Sequence, residues 1–259
     1  MTEPRPVALR PRSILVADDH LYQEIAQSPD HVELLQDPEA MVVPYSARPE
    51  GNEVDVMAMR GILIAAGQLV TGALLVKDPY EDDHYAFAGS AVETFASAKY
   101  HHLANVARLL GATEVRFVDA KVGHDAESAE VGGKAKILGL VGAEAHRSSE
   151  IKKKLKDQLQ GEMRFAGSEP AIEEANEYVR SRYLANDHQI RALIDMRAGS
   201  NPLLSYKMSL SATRESDANL RSAAKIVSRI PSKSFSVGAD FARDAHSFRN
   251  IEIITEISF

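Results

Sequence analysis

The sequence predicts an α+β fold: a largely antiparallel sheet, amphipathic helices packed on one face, and a C-terminal β-hairpin. Three observations carry that prediction. The C-terminal quarter contains three runs of apolar/polar alternation, the pattern of a strand with one face on a core and the other in water. Between and before those runs, apolar residues recur at helical spacing. Breaks rich in Gly, Pro, Asn and Asp separate the segments.

Residues 1–12 set Pro4, Pro6 and Pro11 beside Arg5, Arg10 and Arg12, which disfavours a helix and predicts an extended arm. Ser13–Ala17 is an apolar run closed by Asp18-Asp19-His20, and reads as a strand. Leu21–Gln27 and His31–Gln36 read as short helices, broken at Ser28-Pro29 and Asp37-Pro38. Met41–Val43 is a strand, and 44–53, with Pro44, Pro49 and Gly51, a loop. Val54–Leu63 fits a strand or a buried helix. Ala73–Val76 is a buried strand that stops at Asp78-Pro79.

Ser90 and Glu93 have capping-box spacing before a helix over 91–110, whose face is Phe95, Leu103, Val106 and Leu110 and whose end suits Gly111. A strand over 115–118 and a polar loop over 122–130 follow. Gly132–Ala145 carries four glycines and reads as a bent strand. Ile151, Leu155 and Leu159 then mark a helix. Ser168 caps another, with Ile172, Ala175, Val179 and Tyr183, and Asp187 a third that ends at Gly199.

The alternating runs are Leu204–Thr213, Ser234–Phe241 and Asn250–Phe259, the last interrupted at Ile254. A helix near 215–229 turns Leu220, Ala223, Ala224 and Val227 inward, and 244–248 joins the last two runs as a hairpin.

The chain has 259 residues, 44% of them hydrophobic and 26% charged, enough to form a core. There is no Cys, which excludes disulfide scaffolds, thiol nucleophiles and cysteine-ligated zinc. With no Trp and 6% aromatics, stacking platforms for single strands have little material. The opening residues lack a signal-peptide apolar run, and no segment reaches the ~20 apolar residues of a membrane span. A soluble, cytoplasmic protein is the expectation.

Charge divides unevenly. Residues 1–130 hold 10 Lys+Arg against 21 Asp+Glu, and 131–259 hold 20 against 16. That division suggests an acidic α/β N-terminal region, 13–121, and a mildly basic α+β C-terminal region, 130–259, either separate or sharing one core.

Several constellations could carry chemistry. Ile14–His20 resembles the first strand and acidic pair of response-regulator receiver domains, and Gly72–Asp78 their lysine-bearing strand. The resemblance implies a phospho-accepting aspartate at the end of a third strand, where this sequence has Ala58 or Met59. Asp78, Glu81, Asp82, Asp83 and His84 gather oxygen donors and an imidazole in one loop, which would suit Mg²⁺ or Ca²⁺. The spacing is not that of an EF-hand, and a solvated acidic turn competes with the metal reading. His124 beside Asp125 has the makings of an oriented general base, although no nucleophile stands near it in the sequence. His102 reads as a core-edge histidine. Lys152, Lys153, Lys154 and Lys156 form a basic helix face for phosphates, nucleic acid or an anionic membrane, or simply a solvated one. No GxSxG, HExxH, Walker A or GxGxxG motif is present.

These readings lean away from an enzyme and rank three functions. The first is a non-enzymatic interaction or self-assembly module, a homo-oligomer or a binder of another protein, acting through the C-terminal strand as a sheet edge and needing no cofactor. The second is a divalent-metal-dependent hydrolase or transferase built on the Asp78–His84 loop. The third is an anionic-membrane or nucleic-acid binder built on the lysine helix.

Overall fold

Five consecutive buried residues, Ser13–Ala17, form the strand their apolar run predicts, because helices cover both of its faces. The computed structural model describes residues 10–28, 31–46, 54–123, 134–230 and 250–259. In chain order the first elements are β1 (Ser13–Ala17), α1 (Asp19–Gln27), β2 (Ala40–Pro44), α2 (Val54–Ala65), β3 (Leu74–Lys77), β4 (Tyr85–Phe87) and α3 (Ala91–Leu109). Then come β5 (Glu114–Gly123), α4 (Lys134–Leu159), β6 (Glu162–Arg164), α5 (Ile172–Ser181), α6 (His188–Ala198), β7 (Ser205–Ser211), α7 (Asp217–Arg229) and β8 (Asn250–Ser258). Two units divide them: residues 1–91 with 216–246, and residues 92–215 with 247–259.

The first unit holds a mixed sheet in the order β2-β1-β3-β4. β1 runs parallel to β2 and antiparallel to β3, and β3 antiparallel to β4. α1 begins where Asp18 accepts the Leu21 N–H at 2.7 Å, so the residue that follows β1 caps the helix. Val54–Ala65, ambiguous in sequence, is helical, and its Met59 and Leu63 pack on Ile14, Val16, Val43 and Leu75. α7 lies on the opposite face, where Ser222 meets Ser13 at 2.7 Å and the Glu39 carbonyl at 3.0 Å. Asn219 donates to the Lys77 carbonyl at 3.0 Å, and Lys225 reaches Asp37 at 2.7 Å. These three positions, spaced by three, are one polar ridge that docks the helix. The antiparallel β3 departs from the mostly parallel sheet a receiver-like order would require.

The second unit is an all-antiparallel sheet in the order β6-β5-β8-β7. Its pairing, with the mixed first sheet and seven helices among the described residues, makes the protein α+β with a largely antiparallel architecture. β8 turns Ile251, Ile253, Thr255 and Ile257 inward, as the alternation predicts. Its position corrects an expectation: β8 is paired along both sides, by β5 and by β7, and is not an edge. The residues of the expected hairpin partner, Ser234–Phe241, and its loop, 244–248, lie outside the described residues.

α3 buries Phe95, Leu103 and Val106, and α4 packs on β5 with Ile151, Leu155 and Leu159 buried, one face at helical spacing. The bent strand expected from Gly132–Ala145 is corrected from residue 134 onward: that stretch is the start of α4. Glycine costs a helix about 1 kcal/mol against alanine, which propagation from an anchored turn can overcome. α5 starts at Ile172 with Ala171 before it, so Ser168 is not its cap. The Ser90 hydroxyl donates to the Phe87 carbonyl, and the Glu93 carboxylate meets Lys154.

One glycine is required outright. Gly111 has φ +85°, and a Cβ there would lie 2.1 Å from the Ser168 carbonyl oxygen. Gly111→Ala therefore combines left-handed strain with a backbone clash. We expect a loss of about 2–4 kcal/mol in urea unfolding, with the fold retained. A loss within ~0.5 kcal/mol would show that Ser168 moves freely.

Candidate functional site

The Asp78–His84 loop joins β3 to β4, closed by the Asp78 N–H donating to the His84 carbonyl at 2.8 Å. Its charges are matched locally. Asp82 lies 2.8 Å from Lys77 Nζ, Asp83 2.5 Å from Arg10, and Glu81 pairs with His84. Asp78 accepts the Tyr80 N–H at 2.7 Å, and burial raises its carboxyl pKa, with the charge of Glu81 adding to the rise. The carboxylates are thus turned toward separate partners rather than a common centre. Among the described residues no group of three or more His, Asp or Glu is arranged to hold a metal ion. His124 and Asp125 lie outside the described residues.

The lysine face of α4 is partly neutralised within the second unit. Lys152 lies 3.0 Å from Asp119, whose pKa its hydrogen bond lowers, and Lys154 lies 3.2 Å from Glu93. Lys153 and Lys156 point to solvent. His102 is half-buried, with Nδ1 2.8 Å from the Tyr178 hydroxyl, a satisfied histidine at the core edge. No helix among the described residues is long and apolar enough to cross a membrane.

Three features were not singled out in the sequence. The first is Lys99, whose side chain is fully buried. Its Nζ lies 2.6 Å from Asp187, 2.7 Å from Glu215 and 2.6 Å from the Ser211 carbonyl oxygen, so each ammonium N–H has an acceptor. Asp187 divides its oxygens: Oδ1 accepts the Gln189 and Ile190 N–H groups that start α6, and Oδ2 takes Lys99. The N-cap was legible in sequence, but its distant cation was not.

The second is a cleft of about 290 Å³ in the first unit, lined by Pro11, Tyr22, Asp37, Met41 and Val56 among others. Asp37 is its charged wall, held by Lys225 and, at 3.8 Å, by Arg229.

The third is the outer edge of β7. Ala212 N–H donates to the Ile251 carbonyl at 2.7 Å, and Phe259 N–H to the Leu204 carbonyl at 2.9 Å. The even-numbered residues therefore direct their backbone groups toward β8. Ser205, Lys207, Ser209 and Ser211 direct theirs outward, and no strand pairs with that side among the described residues. The Ser211 carbonyl is the one Lys99 takes. On the solvent face Lys207 meets Glu256 at 3.3 Å and Ser209 meets Glu252 at 2.9 Å. Just before β7, Leu204 is 74% exposed, the largest such value for a bulky apolar side chain among the described residues.

No family model, curated protein or solved structure matches the chain.

Two predictions follow from the ion pairs. Lys99→Met leaves the buried Asp187 and the half-buried Glu215 without their cation, and we expect a loss of about 3–5 kcal/mol by urea unfolding. Adding Asp187→Asn and Glu215→Gln should restore much of it, since Asn retains the cap and neither new side chain is charged. A triple variant no more stable than the single one would refute this account of the cluster.

For Asp37, burial raises the pKa, but hydrogen bonds from Lys225 and the Glu39 N–H, with the charges of Lys225 and Arg229, outweigh it and hold the pKa below its usual value. A lowered folded pKa contributes stability above the unfolded value near 3.8, and that contribution disappears as pH falls through the folded value. Thermal midpoints should place Asp37→Asn below the parent at pH 7, with the gap closing under pH 3.8. A gap that persists unchanged at pH 2 would contradict the linkage.

Proposed function

We propose that the chain is a non-enzymatic self-assembly module acting through a sheet edge. The edge is β7 in place of the interior β8. The observation that carries this reading is the outward-facing backbone of Ser205, Lys207 and Ser209. An edge of β7's length, free of Pro and Gly, presents donors and acceptors in the order a further strand needs. The locally matched charges of the acidic loop and the satisfied Lys99 cluster fit this reading, since both serve to close parts of the fold.

Sedimentation and native mass spectrometry of the full chain at physiological salt test it. The expected result is a concentration-dependent species at a whole multiple of 28.3 kDa. Ser209→Pro removes an outward N–H without touching the ladder to β8, and should shift the population to the single chain with circular dichroism unchanged. Ser209→Lys, which keeps the backbone amide, should weaken association in the same direction. A single-chain mass for the parent at every concentration overturns the proposal.

A further inference from the structure

We infer that Lys99 and Asp187 form an intramolecular amide bond between Nζ and Cγ, with Glu215 carrying protons and one water leaving. The Lys99 Nζ lies 2.6 Å from Asp187 Oδ2, which places Cγ within about 4 Å, one C–O bond further at most. The other oxygen, Oδ1, already accepts the Gln189 and Ile190 N–H groups at 2.9 and 3.1 Å. Two backbone donors on one carboxyl oxygen make an oxyanion hole for the charge that develops when the carbon is attacked. Glu215 Oε2, 2.7 Å from the same Nζ, is placed to take a proton from it. The Ser211 carbonyl, at 2.6 Å, helps to fix the direction of the amine. The Lys99 side chain is wholly buried and Asp187 nearly so, which holds the reacting groups together away from bulk water.

The ion pair is the reactant. Lys99 passes one proton to Asp187 Oδ2, which cancels two buried charges and leaves a neutral amine beside a carboxylic acid. The Nζ lone pair then attacks Cγ, and the C=O π pair moves onto Oδ1. Glu215 takes one proton from Nζ and returns it to the Oδ2 hydroxyl. The C–Oδ2 bond breaks, water departs, and the pair on Oδ1 restores the carbonyl. An ammonium and a carboxylate thus become an amide and one water, and Glu215 ends as it began. The amide ties α3 to the start of α6, the same elements that the ion pair aligns.

The intact mass of the full chain, followed from purification through incubation at neutral pH, tests this. A species one water lighter than the sequence mass of 28.3 kDa is expected. Trypsin does not cut after an acylated lysine, so the digest should hold a branched peptide joining 78–108 to 183–191 through Lys99 and Asp187. Lys99→Arg keeps a cation without the nucleophile and should stay at its sequence mass. Glu215→Gln, with circular dichroism unchanged, should slow the loss of water by about 100-fold or more. The branched peptide is read on the parent itself, so a variant that fails to fold leaves the test standing. An unchanged parent mass throughout overturns the inference. So does a water loss with Lys99 still cleaved, the mark of a succinimide at Asp187, or a branch at Glu215. A Glu215→Gln variant that reacts at the parent's rate overturns the proton-carrying role.

Discussion

Lys99 is wholly buried, and its three acceptors come from three places: the end of β7, the connection that follows it, and the residue that starts α6. Taking such a charge out of water costs several kcal/mol, and the charged acceptors offset it only while all remain in place. Its main consequence is therefore geometric. α3 carries the cation, so the end of β7 and the start of α6 are both referred to one helix. Arg197 does related work on α6, with its guanidinium 4.1 Å over the Phe259 ring and bonds to the Leu110 and Leu203 carbonyls. Between them the two cations fix where β7 begins and ends.

Much of the second unit was legible because its information is local. Alternation over Leu204–Thr213 and Asn250–Phe259 gives the faces of β7 and β8. The Ile151-Leu155-Leu159 spacing gives the buried side of α4, and Asp187 and Gly199 bracket α6. The errors share a cause in long-range context. β8 was expected at an edge, but alternation reports which face is buried and is silent about which neighbours flank a strand. The glycine content of Gly132–Ala145 argues against a helix, yet 134–145 extends one whose anchoring residues lie further along the chain.

The first unit shows the same limit from another side. A buried strand followed by an aspartate that caps a helix looks alike in many folds, because Asp18 meets a purely local need for an acceptor at the Leu21 N–H. The direction of β3 relative to β1 depends on the path of the chain between them, and no residue in Gly72–Asp78 records it. The acidic loop illustrates charge in the same way. Its residue types are those of a cation site, and the cations that reached it are Lys77 and Arg10. The docking ridge of α7, Asn219, Ser222 and Lys225, is polar, and hydrophobic periodicity marks only the apolar side of a helix.

The edge of β7 brings these strands together. A lysine on an edge strand ordinarily guards against pairing, because any neighbour must accommodate its charge. In β7 that lysine is Lys207. Lys207 is tethered to Glu256 on the solvent face, which offsets part of the charge a neighbouring strand would meet. Lys99 meanwhile holds the last outward carbonyl of β7. One cation thus bounds the strand and another sits along its length, so the electrostatics that order the second unit also set the charge its outer edge carries.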